Sequence, residues 1–386
     1  METAFEYSAQ VTGTNFLGRK DDVAIIGNMM VQGESLALYA PPKSGKTSLI
    51  QQSLLELRKN GRSFMAANVD MLPVREDADF FIAFGNAVMG LLGVSPEEYS
   101  QFMFQYFHGT HFVFDKAAYQ DRGAIVSVNW DLDEKDFETM LRFPFHYCRD
   151  NHANLVLILE EFQNVRMLPS GDKICALLGN IIREFKPRKT DSPCCNIIFS
   201  GSMVNAMENI FRRNLWFHRI VECVQMRPVD EKDIVDYVYR RLSFTGKEID
   251  RSLLLGVCRL FRCNVWYINH FVSICDYLAR GYIVENVMTE GLKSLISVHS
   301  PRFFSIVEDL TTHQVNFLKA TLQGHRRFSS SEIIKQYKLN SSANVRRVKE
   351  ALMKKEILVF DDKDDPIFQD PLFEYWMRKY YFGLEN

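Results

Sequence analysis

The stretch that most constrains this chain is residues 36–50, which read LALYAPPKSGKTSLI. Residues 36–40 form an apolar run that predicts a buried strand, and an apolar helix start follows the tripeptide Gly45-Lys46-Thr47. Strand, loop and helix in this order are the context in which Gly-Lys-Thr forms a phosphate-binding loop. The alternative is a chance tripeptide at the start of a helix. We expect a nucleotide site here.

Each residue type in this loop has a chemical reason. Backbone N–H groups of the loop and of the helix N-terminus converge on phosphate oxygens. Lys46 would neutralise the β- and γ-phosphates of ATP, and the Thr47 hydroxyl would be a ligand of Mg²⁺. Ala40 stands where the motif G-x-x-x-x-G-K-[ST] has its first glycine, and alanine tolerates a positive φ less well than glycine. The loop residues expected to contact ATP or ADP are Ala40, Pro41, Pro42, Lys43, Ser44, Gly45, Lys46, Thr47 and Ser48.

A second diagnostic stretch is residues 155–164, which read LVLILEEFQN. Five consecutive apolar residues predict a parallel strand buried on both faces. Glu160 and Glu161 follow at its C-terminal end, where open α/β sheets bind their ligands. We expect Glu160 to hold Mg²⁺ directly or through water, and Glu161 to be the base that polarises the attacking water. Glu160 is one methylene longer than the usual aspartate, so an altered or water-bridged Mg²⁺ geometry is expected. The alternative is a strand that simply ends in a solvated turn.

Residues 196–202 predict another buried strand, which ends in small polar residues. In a P-loop sheet this strand lies beside the acid-bearing one, so Ser202, or Ser200, is predicted to sense the γ-phosphate. The alternative is an ordinary Ser-Gly-Ser turn.

Two segments lack a clear pattern. Residues 1–15 are expected to be a loosely held lead-in. The aromatic-rich residues 95–134 are predicted to be irregular, as an insertion or a partner surface.

Composition narrows the class of protein. The chain has 386 residues, which predicts two or three domains, and its hydrophobic content of 47% with 24% charged residues is typical of globular proteins. The net charge of −2 says nothing about nucleic acid. The eight cysteines include no C-x-x-C pair, so we expect reduced thiols and a cytoplasmic protein. No secretory signal and no apolar run long enough for a bilayer is recognised, so no membrane partner is expected.

Several of these pieces recur together in one family. They are Phe16-x-Gly18-Arg19, the loop at 39–49, the strand ending in Glu160-Glu161, Gly201-Ser202, and Arg219. In this order the chain resembles the archaeal-type ATPase family, in the STAND branch of the P-loop NTPases and near the AAA+ and origin-recognition ATPases. Residues 370–376, DPLFEYW, also resemble that family, so the resemblance spans nearly the whole chain.

The resemblance implies a fold and a domain order. The expected fold class is α/β, an AAA+-like P-loop NTPase with a parallel sheet flanked by helices, followed by a helical lid and a winged helix-turn-helix domain. The expected domains are the ATPase domain at 1–228, the lid at 229–300 and the winged helix domain at 301–386.

The resemblance also implies roles for three residues outside the motifs. Arg19 and Pro228 are implied to lie near the nucleotide. Arg219 falls where AAA+ relatives carry an arginine finger, which would require a homo-oligomer if it acts across a subunit interface. A structural ion pair is the alternative role for Arg219. Residues 262–265 lack the Gly-x-Pro often found in relatives, so the adenine contacts of the family are not carried over.

Residues 311–360 have the pattern of a winged helix. Apolar periodicity predicts a helix at 315–322, a capping box opens a helix at 333–337, and Ser341 or Ser342 begins a third helix. Two short strands are predicted to flank the acidic turn 361–365. Ten basic and three acidic residues lie between 311 and 360, which is typical of duplex DNA binding, here through 326–355. The acidic turn favours the alternative, a winged helix that binds protein.

Two classes of function therefore stay open. The first is a slow ATPase switch, in which ATP closes the lid and reorients the C-terminal domain toward a protein partner. The second is a DNA-binding ATPase of origin-recognition type. A small-molecule kinase is a third alternative, but two extra C-terminal domains would serve it poorly.

Overall fold

The computed structural model describes residues 5–187 and 192–384, which pack as two compact units. The sheet unit comprises residues 20–40 and 49–226, and the C-terminal unit comprises 1–19, 41–48 and 227–386 as far as they are described. Residues 1–4 of the predicted lead-in lie outside the described residues. Each unit is built around its own hydrophobic core.

The chain up to residue 226 contains eight α-helices and seven strands among its described residues. In order they are α1 (Lys20–Val31), β1 (Ser35–Tyr39), α2 (Lys46–Lys59), β2 (Met65–Asp70), α3 (Asp77–Leu92), α4 (Pro96–Tyr106), β3 (Phe112–Val113), α5 (Lys116–Arg122), β4 (Ser127–Val128), α6 (Glu134–Asn151), β5 (Leu155–Glu160), α7 (Gly171–Glu184), β6 (Cys195–Gly201), α8 (Val204–Glu208) and β7 (Val221–Val224).

A five-stranded parallel sheet organises the sheet unit. Its strand order is β2-β5-β6-β1-β7, and every neighbouring pair is parallel. Residues 155–159 of β5 are all buried, as expected for an apolar strand covered on both faces. The predicted α/β class and the parallel sheet are confirmed. This order places the C-terminal ends of β1, β5 and β6 on one edge of the sheet.

Residues 95–134 are more regular than predicted. Ser95 and Glu98 form a capping box at the start of α4, and Asp115 caps α5. β3 and β4 pair antiparallel, with Phe112 opposite Val128. Most of the aromatic rings of this segment pack inward, and Phe107 is 2% exposed. The short, separately capped helices explain why helical periodicity was not visible in the sequence.

The C-terminal unit is helical apart from two small strand pairs. In order its elements are α9 (Glu231–Phe244), β8 (Glu248–Ile249), α10 (Arg251–Leu260), α11 (Val265–Leu278), β9 (Tyr282–Ile283), α12 (Glu285–Glu308), α13 (Thr312–Leu322), α14 (Ser331–Gln336), α15 (Ser342–Lys354), β10 (Leu358–Phe360), β11 (Pro366–Phe368) and α16 (Pro371–Trp376). Helix α12 runs through residue 300, and the predicted domain boundaries remain proposals.

The start of the described N-terminal segment is held in place, so the predicted loose lead-in is wrong for residues 5–7. Phe5 is 1% exposed in the core of the C-terminal unit. The carbonyl of Glu6 accepts a hydrogen bond from Asn269 at 2.8 Å, and the carbonyl of Tyr7 accepts one from Trp266 Nε1 at 2.6 Å. These partners lie more than 250 residues away in the chain, where local sequence patterns carry no signal.

The predicted winged helix is confirmed as a fold. Ser330 caps α14, Ser341 caps α15, and β10 pairs antiparallel with β11 around the acidic turn. Asp370 caps α16 and also accepts a hydrogen bond from the hydroxyl of Tyr267, on α11. The winged helix therefore contacts the preceding helices through the DPLFEYW segment.

Within the described residues, no single helix has the length and apolar character needed to cross a bilayer. The bent pair α3 and α4, with an angle of 119° between its members, meets those two criteria only when taken together.

Candidate functional site

The loop after β1, which the sequence predicts to bind phosphate, contains two left-handed residues. Lys43 and Gly45 adopt left-handed conformations, with φ of +62° and +91°. Lys46, at the first position of α2, is 8% exposed, and its Nζ donates to the carbonyl of Pro41 at 3.2 Å. Ala40 does not have a positive φ, so the cost expected for alanine in place of glycine does not arise.

Two residues of the N-terminal segment, Arg19 and Val11, contact this loop. Arg19 Nη1 donates to the carbonyl of Ser44 at 2.8 Å, and Arg19 Nε donates to the carbonyl of Arg227 at 3.2 Å. The backbone N–H of Val11 donates to Ser48 Oγ at 3.1 Å. Arg19 therefore lies on the predicted loop and next to Pro228. That Arg19 and Pro228 lie near a nucleotide stays a prediction.

One polar atom of the loop lacks a protein partner. Ser44 Oγ is buried, and within the described residues it makes no hydrogen bond. A buried hydroxyl without a partner is costly, and it is satisfied when a ligand supplies an acceptor. Backbone N–H groups, one ammonium and this hydroxyl form a donor set that fits a phosphate group.

In the sheet unit, the structure brings together two of the predicted site residues. Glu161 Oε2 accepts hydrogen bonds from Ser202 Oγ at 2.5 Å and from Gln163 Nε2 at 2.6 Å. Glu161 has a left-handed φ of +53° just after β5. Such strain in a non-glycine residue costs on the order of 1 kcal/mol and is frequent at functional sites. The second oxygen of Glu161, Oε1, has no partner within the described residues.

Glu160 lies at the end of β5 and is half-buried. It is paired in register with Asp70, the last residue of β2. Asp70 Oδ1 accepts from the N–H of Leu72 at 2.8 Å. Two acidic residues of neighbouring strands thus lie side by side in register at this edge. Ser200, the alternative to Ser202, is buried inside β6 and is 4% exposed.

Arg219 makes no ion pair with any other predicted site residue among those described. It is exposed, in a left-handed conformation with φ of +61°, in the turn before β7. No ion pair of Arg219 is found in the described part of the chain, so the structural alternative has no partner there. Its role as an arginine finger stays a prediction.

The turn at residues 262–265 keeps its shape without glycine. Arg262 and Cys263 are both left-handed, with φ of +49° and +57°, and Asn264 caps α11. Arg262 is held in place by an ion pair with Glu374. The side-chain contacts of this turn replace the conformational freedom that glycine would supply.

Three residues of interest were not singled out from the sequence. Gln163 was visible two positions after Glu161, but an amide in a turn carries no specific signal. Asp70 ends a predicted strand, and its pairing with Glu160 depends on strand order. Trp266, which lies against Lys43, is brought there by the fold and had no local signal.

The comparisons with known proteins agree with this architecture. Residues 301–379 match the family model described as "Probable winged helix domain". Among curated proteins, no sequence matches the chain. The predicted winged helix is therefore supported by sequence as well as by structure.

Solved structures match over nearly the whole chain. The Walker-type ATPase of Pyrococcus abyssi is similar with a TM-score of 0.66 and 15% identity, over 97% of this chain and 99% of that one. The ORC2 protein of Aeropyrum pernix, in ADPNP and ADP complexes, is similar with a TM-score of 0.55 and 12% identity, over 93% of each chain. At these identities the likeness is one of fold. The chain has the fold of these two ATPase structures, a parallel sheet flanked by helices with a winged helix domain at its C-terminal end.

Proposed function

We propose that this chain binds ATP at the loop of residues 40–48. The observation that carries the proposal is the loop itself, in which Gly45 is left-handed, Ser44 Oγ is buried without a partner, and Lys46 is drawn back onto Pro41. Lys46 would exchange this carbonyl for phosphate oxygens, which bind an ammonium more strongly. Pro42, Thr47 and Ser48 complete the proposed contacts, with Arg19 and Pro228 beside them.

The oxygen donors for Mg²⁺ would be the Thr47 hydroxyl and the Glu160 carboxylate. Both are half-buried, and hydroxyl and carboxylate oxygens are the ligands that Mg²⁺ prefers. When bound, Mg²⁺ would neutralise charge on the β- and γ-phosphates. Asp70, in register with Glu160, adds a second carboxylate at this edge.

We further propose slow ATP hydrolysis with Glu161 as the general base. Ser202 and Gln163 fix one oxygen of the Glu161 carboxylate, which orients the side chain. The other oxygen, Oε1, would accept the proton of the water that attacks the γ-phosphate. Ser202 would then act by positioning Glu161. Arg219 would stabilise the transferred phosphate from a second copy of the chain, because it is exposed and lacks an ion pair in the described part of the chain.

A second candidate function is duplex DNA binding by the winged helix, between residues 326 and 355. Several cations there are exposed, and Arg347, Lys335 and Lys338 make no ion pair within the described residues. Against this, Arg326 and Lys349 are paired with Asp365 and Asp364 of the acidic turn. Neutralised cations favour a protein partner, so we place the nucleotide-driven switch first. A cytoplasmic location is part of this proposal.

The hydrolysis proposal is tested by Glu161→Gln. The amide keeps the size and the contact with Ser202 but cannot take a proton, so labelled ATP should still bind while phosphate release falls by about 10²-fold or more. Unchanged phosphate release in Glu161→Gln would contradict the role of Glu161.

The phosphate-release assay with duplex DNA at 50 and 200 mM salt separates the two candidate functions. If DNA stimulates phosphate release and the higher salt concentration abolishes the stimulation, the DNA-binding ATPase is favoured.

A further inference from the structure

An aromatic contact attaches the loop to helix α11 of the same unit. Lys43 Nζ lies 3.5 Å from the centroid of the Trp266 ring, a distance typical of a strong cation–π interaction. Lys43 is also the non-glycine residue of the loop that holds a left-handed conformation, with φ of +62°. The left-handed backbone, which is unfavourable for lysine, therefore occurs at the residue whose side chain is anchored on Trp266.

Trp266 is a rigid platform for this ammonium. Its Nε1 donates to the carbonyl of Tyr7, and the rings of Tyr7, His270 and His299 contact it edge-on, with centroids 6.2, 5.4 and 5.7 Å away. Burial and the nearby charge of Lys43 lower the pKa of both histidines. Neutral imidazoles leave the Trp266 face free of a competing positive charge.

The same part of α11 carries the contact with the winged helix. Tyr267, next to Trp266, donates its hydroxyl to Asp370 at 2.9 Å, and Arg302 pairs with the same carboxylate. Asp370 in turn caps α16. The loop and the winged helix are therefore attached to two consecutive residues of one helix.

We propose that Lys43 and Trp266 are positioning residues that anchor the phosphate-binding loop in its binding-competent shape. This inference rests on the proposed ATP site, because the anchor matters only if the loop holds phosphate. Trp266 need not touch the nucleotide; it acts through Lys43. By linkage, ATP that binds the anchored loop strengthens the anchor on α11.

The test is a double-mutant cycle on ATP affinity, measured by calorimetric titration. Lys43→Met and Trp266→Leu should each weaken ATP binding about fivefold to tenfold. The double variant should bind ATP with about the same affinity as either single variant, because both substitutions remove the same contact. Trp266→Phe keeps an aromatic face and should restore most of the affinity. Trp130→Leu, which removes an exposed tryptophan of the sheet unit, is the matched control and should bind as the wild type does.

The outcomes separate this inference from the ATP site. The ATP site stands if the wild type binds ATP and Lys46→Ala does not. The anchor is nevertheless overturned if the losses of binding free energy in Lys43→Met and Trp266→Leu add in the double variant. A loss in Lys43→Met with none in Trp266→Leu overturns it as well, because Lys43 then acts directly on phosphate. If the wild type binds no ATP, both proposals fail. Denaturant unfolding of each variant shows that the affinity losses come from folded protein.

Discussion

Single residues set the shape of the phosphate loop, because a left-handed backbone is cheap for glycine and costly for other types. Gly45 has the largest positive φ in the loop, and a Cβ at this position would lie 3.2 Å from Arg19 Nη1. Ala40, which replaces the first glycine of the motif, needs no such freedom. The departure from the motif is therefore harmless at Ala40, whereas an equal change at Gly45 would not be.

Gly45→Ala should weaken ATP binding about fivefold to thirtyfold, since a left-handed alanine costs roughly 1–2 kcal/mol. Calorimetric titration measures the affinity, and Ala40→Gly is the matched change at the other end of the loop. Ala40→Gly should alter affinity far less. Equal effects of the two substitutions would show that the backbone conformation of Gly45 does not matter for binding.

A second residue-scale effect concerns pH. Burial and the charges of Arg302 and Lys43 lower the pKa of His299 to about 4, with a smaller effect of His270 in the same direction and an opposing one of Asp370. In the unfolded chain a histidine takes up its proton near pH 6.5. The unfolded state therefore binds more protons at mildly acidic pH, and stability falls as the pH drops from about 7 toward 4.

We expect His299→Phe to remove this pH dependence, which should amount to about 2 kcal/mol between pH 7 and pH 4.5. Denaturant unfolding at several pH values measures it. His218→Asn, at an exposed histidine of the sheet unit, is the matched control. A slope in His299→Phe equal to that of the wild type would mean that His299 does not titrate as described.

At the scale of elements, prediction succeeded where the burial pattern was complete within a few residues. β5 is five consecutive apolar residues followed by two acids, and β1 with α2 frames an unmistakable loop. The segment 95–134 was missed because its two helices are short and capped by local polar contacts. The anchoring of Glu6 and Tyr7 was missed because it depends on single side chains of α11 that are distant in the sequence. The neighbouring positions of β5 and β6 were predicted, but the hydrogen bond of Ser202 to Glu161 depends on side-chain conformations that the motifs do not contain.

Helix packing gives an element-scale prediction. A Cβ on Gly179, inside α7, would lie 2.2 Å from the backbone carbonyl oxygen of Trp216, whereas a Cβ on Gly256, inside α10, meets nothing within 4 Å. Gly179→Ala should destabilise the sheet unit by roughly 2 kcal/mol or more, because a backbone atom cannot yield easily. Gly256→Ala should stabilise the protein by about 0.5–1 kcal/mol.

Denaturant unfolding measures both glycine variants, and each serves as the control for the other. A stabilised Gly179→Ala, or a Gly256→Ala that loses more than Gly179→Ala, would contradict the packing of α7 on residue 216.

In the whole molecule, the loop of residues 41–48 belongs to the C-terminal unit and not to the sheet unit. Residues 41–48 pack with the unit that also contains α9 to α12 and the winged helix, although the strand before them is part of the sheet unit. Arg19, Val11 and Trp266 make this attachment. A nucleotide in the loop would therefore act directly on the unit that carries the winged helix. This arrangement fits a switch whose output is a C-terminal surface.

Binding of ATP by the loop is tested by calorimetric titration of ATP into the wild type and Lys46→Ala. Lys59→Ala removes a lysine from the other end of α2 and is the matched control. We expect the wild type and Lys59→Ala to bind ATP with equal affinity and Lys46→Ala not to bind. Wild-type affinity in Lys46→Ala, or no binding by the wild type, would contradict this expectation.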